Sequence, residues 1–202
     1  MKNIKLGVIA MLAIAMVNCK ETKKDADKSM DNMENEVGQM ESDTMNMTDE
    51  AMDETLTVMM TSKSNSNVNG EIIFTKEGDE VAMKADFTGL DQGSHAIHLH
   101  ENADCSSDDG KSAGGHWNPT DEPHGKWNAE EGYHKGDIGN FTADADGNAT
   151  VEFSTDQWCL GCDDEKKNII GRSVIVHKGT DDFTSQPSGD AGSRVGCAGI
   201  TK

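Results

Sequence analysis

From Thr55 onward, apolar and polar positions alternate along much of the chain. Leu56, Val58 and Met60 form one alternating set, and Val81, Met83, Ala85 and Phe87 form another. Successive strand side chains point to opposite faces, so each set predicts a strand with one face in a core. Gly70 to Lys76 is a short apolar run, Ser173 to His177 a stronger one, and Arg194 to Ile200 closes the series. Phe141-Thr142-Ala143 and Ala149-Thr150-Val151-Glu152-Phe153 flank Asp146-Gly147, a turn dipeptide that predicts a hairpin. Gly89-Leu90-Asp91-Gln92-Gly93 reads as a further turn. No long amphipathic helical pattern is visible. Short strands separated by turns predict an all-β domain over residues 55–202, an antiparallel Greek-key sandwich or flattened barrel.

One predicted strand carries more than packing. In His95-Ala96-Ile97-His98-Leu99-His100, Ile97 and Leu99 alternate with His98 and His100. The two imidazoles share a face, roughly 7 Å apart, where they can converge on one metal ion. His95 falls on the other face and reads as a structural histidine bonded to backbone. Taken alone, the pattern would be a half-buried strand with a polar face. The other histidines of the chain give it weight. The segment from about 102 to 137 is too long for an idle connection. It holds His116, His124, His134 and Asp137, and His177 ends a later strand.

The first nineteen residues have the form of an export signal. A basic start, Met1 to Lys5, precedes an apolar stretch from Leu6 to Val17. Ala15-Met16-Val17-Asn18-Cys19 resembles the site where bacterial lipoproteins are cut and acylated on cysteine, although Asn18 stands where a small residue is usual. Plain cleavage near Asn18 is the alternative. Residues 20–54 hold twelve acids, four lysines, six methionines and no aromatic residue. That composition cannot offset the entropy of ordering, so the segment reads as a solvated tether. Its methionines could offer thioethers to Cu(I), but their spacing is irregular.

Charge and cysteines narrow the setting. With 37 acids against 18 basic residues, the net charge is −19, which repels nucleic acid. No apolar run is long enough for an ordinary membrane span, so membrane contact would come only through a lipid on Cys19. An exported, periplasmic or cell-envelope protein meets an oxidising compartment, where cysteines can pair. With Cys19 acylated, Cys105, Cys159, Cys162 and Cys197 remain.

The histidines stand in a specific order: His-x-His at 98 and 100, Gly114-Gly115-His116-Trp117-Asn118-Pro119, His124-Gly125, His134-x-x-Asp137, and His177 after Gly171-Arg172-Ser173-Val174-Ile175-Val176. Gly136-Asp137-Ile138-Gly139-Asn140 and Gly192-Ser193-Arg194-Val195-Gly196-Cys197 complete it. This resembles the copper–zinc superoxide dismutase family over essentially all of 55–202. The resemblance implies copper on His98, His100, His116 and His177. It implies zinc on His116, His124, His134 and Asp137, with His116 bridging. Donor chemistry agrees: four imidazoles suit Cu(II), and three imidazoles with a carboxylate suit tetrahedral Zn(II). The implied activity is conversion of superoxide to oxygen and hydrogen peroxide, with copper reduced and oxidised in turn. Arg194 corresponds to the family's anion-orienting arginine. Cys105 and Cys197 correspond to its disulfide. Asp181 corresponds to the aspartate linking His98 to His124, with adjacent Asp182 as the alternative.

Departures are equally informative. The segment between His177 and Arg194 has no lysine beyond Lys178, so steering of the anion falls to others such as Lys111, Lys126 or Lys135. Cys159-Leu160-Gly161-Cys162 lies outside the family pattern. A zinc ribbon needs a second cysteine pair and a thioredoxin-like site needs a different setting, which leaves a local disulfide. A copper-buffering protein of the same fold is the rival reading; it would lack a ligand, the bridge or Arg194. A homodimer is compatible with the family resemblance, with no interface legible in the chain.

Overall fold

The computed structural model describes residues 54–202; the expected export signal, Cys19 and nearly all of the expected tether lie outside the described residues. Each alternating set becomes a strand. β1 (Thr55–Ser62) buries Val58 and Met60, β2 (Asn69–Glu77) buries Ile72 and Phe74, and β3 (Glu80–Thr88) buries Val81, Met83, Ala85 and Phe87. β2 and β3 form a hairpin in register from Asn69↔Thr88 to Glu77↔Glu80. Its two-residue loop starts at Gly78, whose φ of 63° suits glycine. Next in the chain come β4 (Gly93–His100), β5 (Gly139–Ala143), β6 (Ala149–Thr155), β7 (Ser173–His177) and β8 (Arg194–Gly199). Among the described residues the one helical element is a 3-10 turn, Lys111–Ala113.

The eight strands make one antiparallel sheet in the order β5-β4-β7-β8-β1-β2-β3-β6. The chain crosses over between β3 and β4 and again between β6 and β7, which is Greek-key connectivity. The sheet curls into a nearly closed barrel. Ile72, Phe74, Met83 and Phe87 from one half meet Ile97, Leu99, Val174 and Val176 from the other in a common core.

The predicted hairpin around Asp146-Gly147 is only half correct. The turn forms: Asp144 N–H donates to Asn148 O at 2.9 Å and Gly147 N–H donates to Asp144 O at 3.1 Å. The strands then part, β5 pairing with β4 and β6 with β3. Leu90 explains the split. It is buried at this seam, and its N–H donates to Gly147 O at 3.2 Å.

β4 is buried on both faces. Ile97 and Leu99 enter the core, while His98 and His100 face outward beneath the long loops.

Candidate metal centre

Main-chain hydrogen bonds bring the histidine-bearing segments together before any side chain acts. Leu99 N–H donates to Gly136 O (2.9 Å), Gly136 N–H to Trp117 O (3.0 Å), and Trp117 N–H to Leu99 O (2.8 Å). The three bonds close a ring. Its members neighbour His98 and His100, His116, and Asp137 in sequence. A Cβ on Gly136 would stand 2.4 Å from Leu99 O, so only glycine permits this approach. β7 adds His177 from its end.

Two clusters result. His98, His100, His116 and His177 each offer a ligand atom, and these atoms all lie within 4.8 Å of one another. His116, His124, His134 and Asp137 do the same, so His116 belongs to both. All seven residues are buried.

Hydrogen bonds orient each ring. His100 Nδ1 contacts Gly114 O at 3.0 Å and His177 Nδ1 contacts Gly192 O at 3.2 Å. A carbonyl only accepts, so both protons sit on Nδ1. The two Nε2 atoms then face each other as acceptors at 3.4 Å. His98 and His124 each donate Nε2–H to Asp181, at 2.8 and 2.9 Å, which frees their Nδ1 atoms. His98 Nδ1, His116 Nε2, His124 Nδ1 and His134 Nδ1 are buried and make no hydrogen bond. Asp137 lies 2.9 Å from His124 Nδ1 and 3.2 Å from His134 Nδ1, but off the hydrogen-bonding direction. An unsatisfied buried polar atom costs about 1–3 kcal/mol. Inward-facing lone pairs of this kind fit cations, one among four imidazoles and one among three imidazoles and a carboxylate.

The protein's own charges divide the histidines. Burial and neighbouring imidazoles hold His100 and His177 well below the ordinary imidazole range. Burial also lowers His116, to about 4, despite Asp137. Burial would lower His124 too, but the adjacent carboxylates of Asp137 and Asp181 outweigh it and raise the group to about 9. Burial would raise Asp137, yet the imidazoles of His116, His124 and His134 gathered around it drive its carboxyl far below the usual range. The second cluster therefore carries an ionised carboxylate.

Asp181 is fully buried, with one oxygen on His98 and the other on His124. Asn140 fixes it from both sides, donating Nδ2–H to Asp181 O and accepting from Asp181 N. Gly189 makes room for it, because a Cβ there would stand 1.8 Å from Asp181 Oδ1. Gln186 holds the His124 backbone, accepting from its N–H and donating to its carbonyl, each at 2.8 Å. Asp182 points to solvent and accepts from Ser185 and Thr184. Asn140, Gln186 and Gly189 were not found from sequence. For Asn140 the only signal was its place at the end of the Gly136–Asn140 block. His95 stands outside both clusters, its ring nitrogens 2.8 and 2.9 Å from the carbonyls of Asp91 and His177.

A cleft of about 610 Å³ opens over the first cluster, lined by His100, His116, His177, Lys111 and Arg194 among others. A β-bulge aims Arg194 into it. Val176 pairs with Gly196, but His177 pairs with Arg194, so Val195 is the extra residue. The guanidinium donates to Gly110 O and Gly114 O, both at 2.7 Å. Burial lowers its pKa somewhat, and Asp109 and Glu101 oppose this. Lys126 and Lys135 do not line the cleft. Cys105 is bonded to Cys197, and Cys159 to Cys162.

Among known proteins, the model of the copper/zinc superoxide dismutase family matches residues 68–200. The extracellular superoxide dismutase [Cu-Zn] of Brugia pahangi is 36% identical over 143 residues, covering 66% of this chain and 69% of that protein. Its namesake in Caenorhabditis elegans is 35% identical over 137 residues, covering 65% and 60%. The solved structure of a double mutant of a SOD-like protein from Bacillus subtilis is similar, with a TM-score of 0.65 and 31% identity over 72% of this chain and 97% of that one. The clock protein EA4 is also similar, with a TM-score of 0.62 and 31% identity over 72% and 94%. The chain that curls into this barrel and gathers its histidines around His116 belongs to the copper/zinc superoxide dismutase family.

Proposed function

We propose that the protein is a superoxide dismutase that uses copper at His98, His100, His116 and His177 and zinc at His116, His124, His134 and Asp137. The observation that carries this reading is the place of His116 in both clusters. Copper supplies one-electron chemistry, by which one superoxide leaves as oxygen and the next, with two protons, as hydrogen peroxide. The chain's residues do the rest. Arg194 attracts and orients the anion in the cleft, since each terminal nitrogen keeps an N–H beyond its carbonyl bond. His116 Nε2 makes no hydrogen bond to the protein and is available to carry a proton toward the second superoxide. The His116 ring would be kept in place meanwhile by zinc, which it would share with Asp137. The full ligand set together with Arg194 favours turnover over copper buffering.

In the same reading, residues 1–19 direct export, Cys19 carries a lipid that fixes the chain to the cell envelope, and residues 20–54 tether the catalytic domain of 55–202. The residue pattern supports this, and two similar proteins are named extracellular. Metal analysis with pulse-radiolysis kinetics tests the site. About one copper and one zinc per chain are expected, with dismutation lost in His116→Ala. Full activity in that variant removes the bridge.

A further inference from the structure

The motif Cys159-Leu160-Gly161-Cys162 has no part in the dismutation chemistry. It closes a short disulfide, with Cys162 exposed and Cys159 half-buried. The two residues before it reach across to the loop that carries His134. Trp158 is buried, and its indole N–H donates to Lys135 O at 2.8 Å. Gln157 Nε2 donates to the Tyr133 hydroxyl at 2.6 Å. Consecutive residues thus hold the positions on either side of His134. Ring packing reinforces the grip. Trp158 lies 4.9 Å from Phe153 and edge-on to Trp127, and Trp127 lies 4.9 Å from Tyr133.

The motif fixes where Trp158 stands. Cys159 N–H donates to Lys167 O, and Ile169 N–H donates to Cys159 O. Asn168 accepts from Gly161 N–H and donates to Cys162 O. The disulfide closes this knot directly after the indole.

We infer that Gln157, Trp158 and the Cys159–Cys162 disulfide form a brace that positions His134 for zinc. The inference rests on the zinc assignment proposed for His116, His124, His134 and Asp137. Trp158 is a positioning residue that acts through Lys135. His134 is a member of the second cluster alone, so the brace acts on zinc and leaves copper unaffected.

The test measures metal release to a chromophoric chelator from the full chain loaded with copper and zinc. Trp158→Phe keeps an aromatic ring and loses the donor, and is expected to release zinc about tenfold faster, with copper release unchanged. Replacing Cys159 and Cys162 together by serine should raise zinc release roughly threefold, because Asn168 still holds part of the knot. Gln157→Leu is a half-buried change with little folding risk, and should give a similar smaller increase. Co(II) placed at the zinc position should show altered visible absorption in Trp158→Phe, a signature that a general loss of stability does not produce. Zinc release at the wild-type rate in Trp158→Phe and Gln157→Leu, with an unchanged Co(II) spectrum, overturns the brace. His134→Ala separates the brace from the zinc site itself. If it holds zinc as tightly as wild type, the zinc assignment fails. If it loses zinc while the brace variants do not, only the brace fails.

Discussion

Asp181 turns both carboxylate oxygens inward, while its neighbour Asp182 faces solvent and bonds the backbone of Thr184 and Ser185. Each oxygen of Asp181 fixes the Nε2 of an imidazole, His98 in the first cluster and His124 in the second. Asp181→Asn should therefore weaken retention of copper or zinc by about 10–100-fold in chelator competition, with Asp182→Asn near wild type. The reverse result would shift the assignment by one residue. From sequence the resemblance points to Asp181 with adjacent Asp182 as the alternative, because a loop has no period that assigns alternate residues to a face. The histidines were legible for the opposite reason: they stand in a fixed order along strands and turns. Asn140, Gln186 and Gly189 were not legible, since each acts on a partner distant in the chain, as Asn140 does on Asp181 41 residues away.

At the level of elements, alternation identified β1, β3 and β4 because each buries one apolar face in the common core. It said nothing about pairing. The Asp146-Gly147 turn predicts a hairpin locally, yet Leu90 arrives from another part of the chain and separates β5 from β6. The bulge at Val195 is equally silent in the sequence, although it decides that Arg194 faces the cleft. The Cys105–Cys197 disulfide works between elements, tying the loop after β4 to β8 across a sequence separation of 92. Closing so long a loop is worth roughly 4–5 kcal/mol in chain-entropy terms. Replacing both cysteines by serine should lower the thermal midpoint accordingly in calorimetry, and by more than loss of Cys159–Cys162, whose loop is far shorter. An unchanged midpoint would show that the unfolded chain gains no freedom from the lost link.

For the whole molecule the issue is charge. A net −19 gives a far field that repels superoxide. In the cleft, Lys111 is drawn to Asp109 at 3.0 Å, which leaves Arg194 as the main local attraction. Arg194→Ala should lower the second-order rate about tenfold or more without changing metal content. Salt separates near charge from far charge, since the screening length is about 10 Å at 0.1 M. The variant, governed by distant acids, should speed up as ionic strength rises, and the wild type should respond less or slow down. Identical salt slopes in pulse radiolysis would show that Arg194 does not guide the anion.

The ring of bonds through Leu99, Trp117 and Gly136 is made only of main-chain groups. Exchanging a side chain at 98, 100, 116 or 137 removes none of those bonds. Scaffold and metal preference are therefore separable in redesign. Thiolates or carboxylates can replace imidazoles to suit a softer or harder ion while the frame stands, and Gly136 is the one place in the ring where no side chain can be introduced.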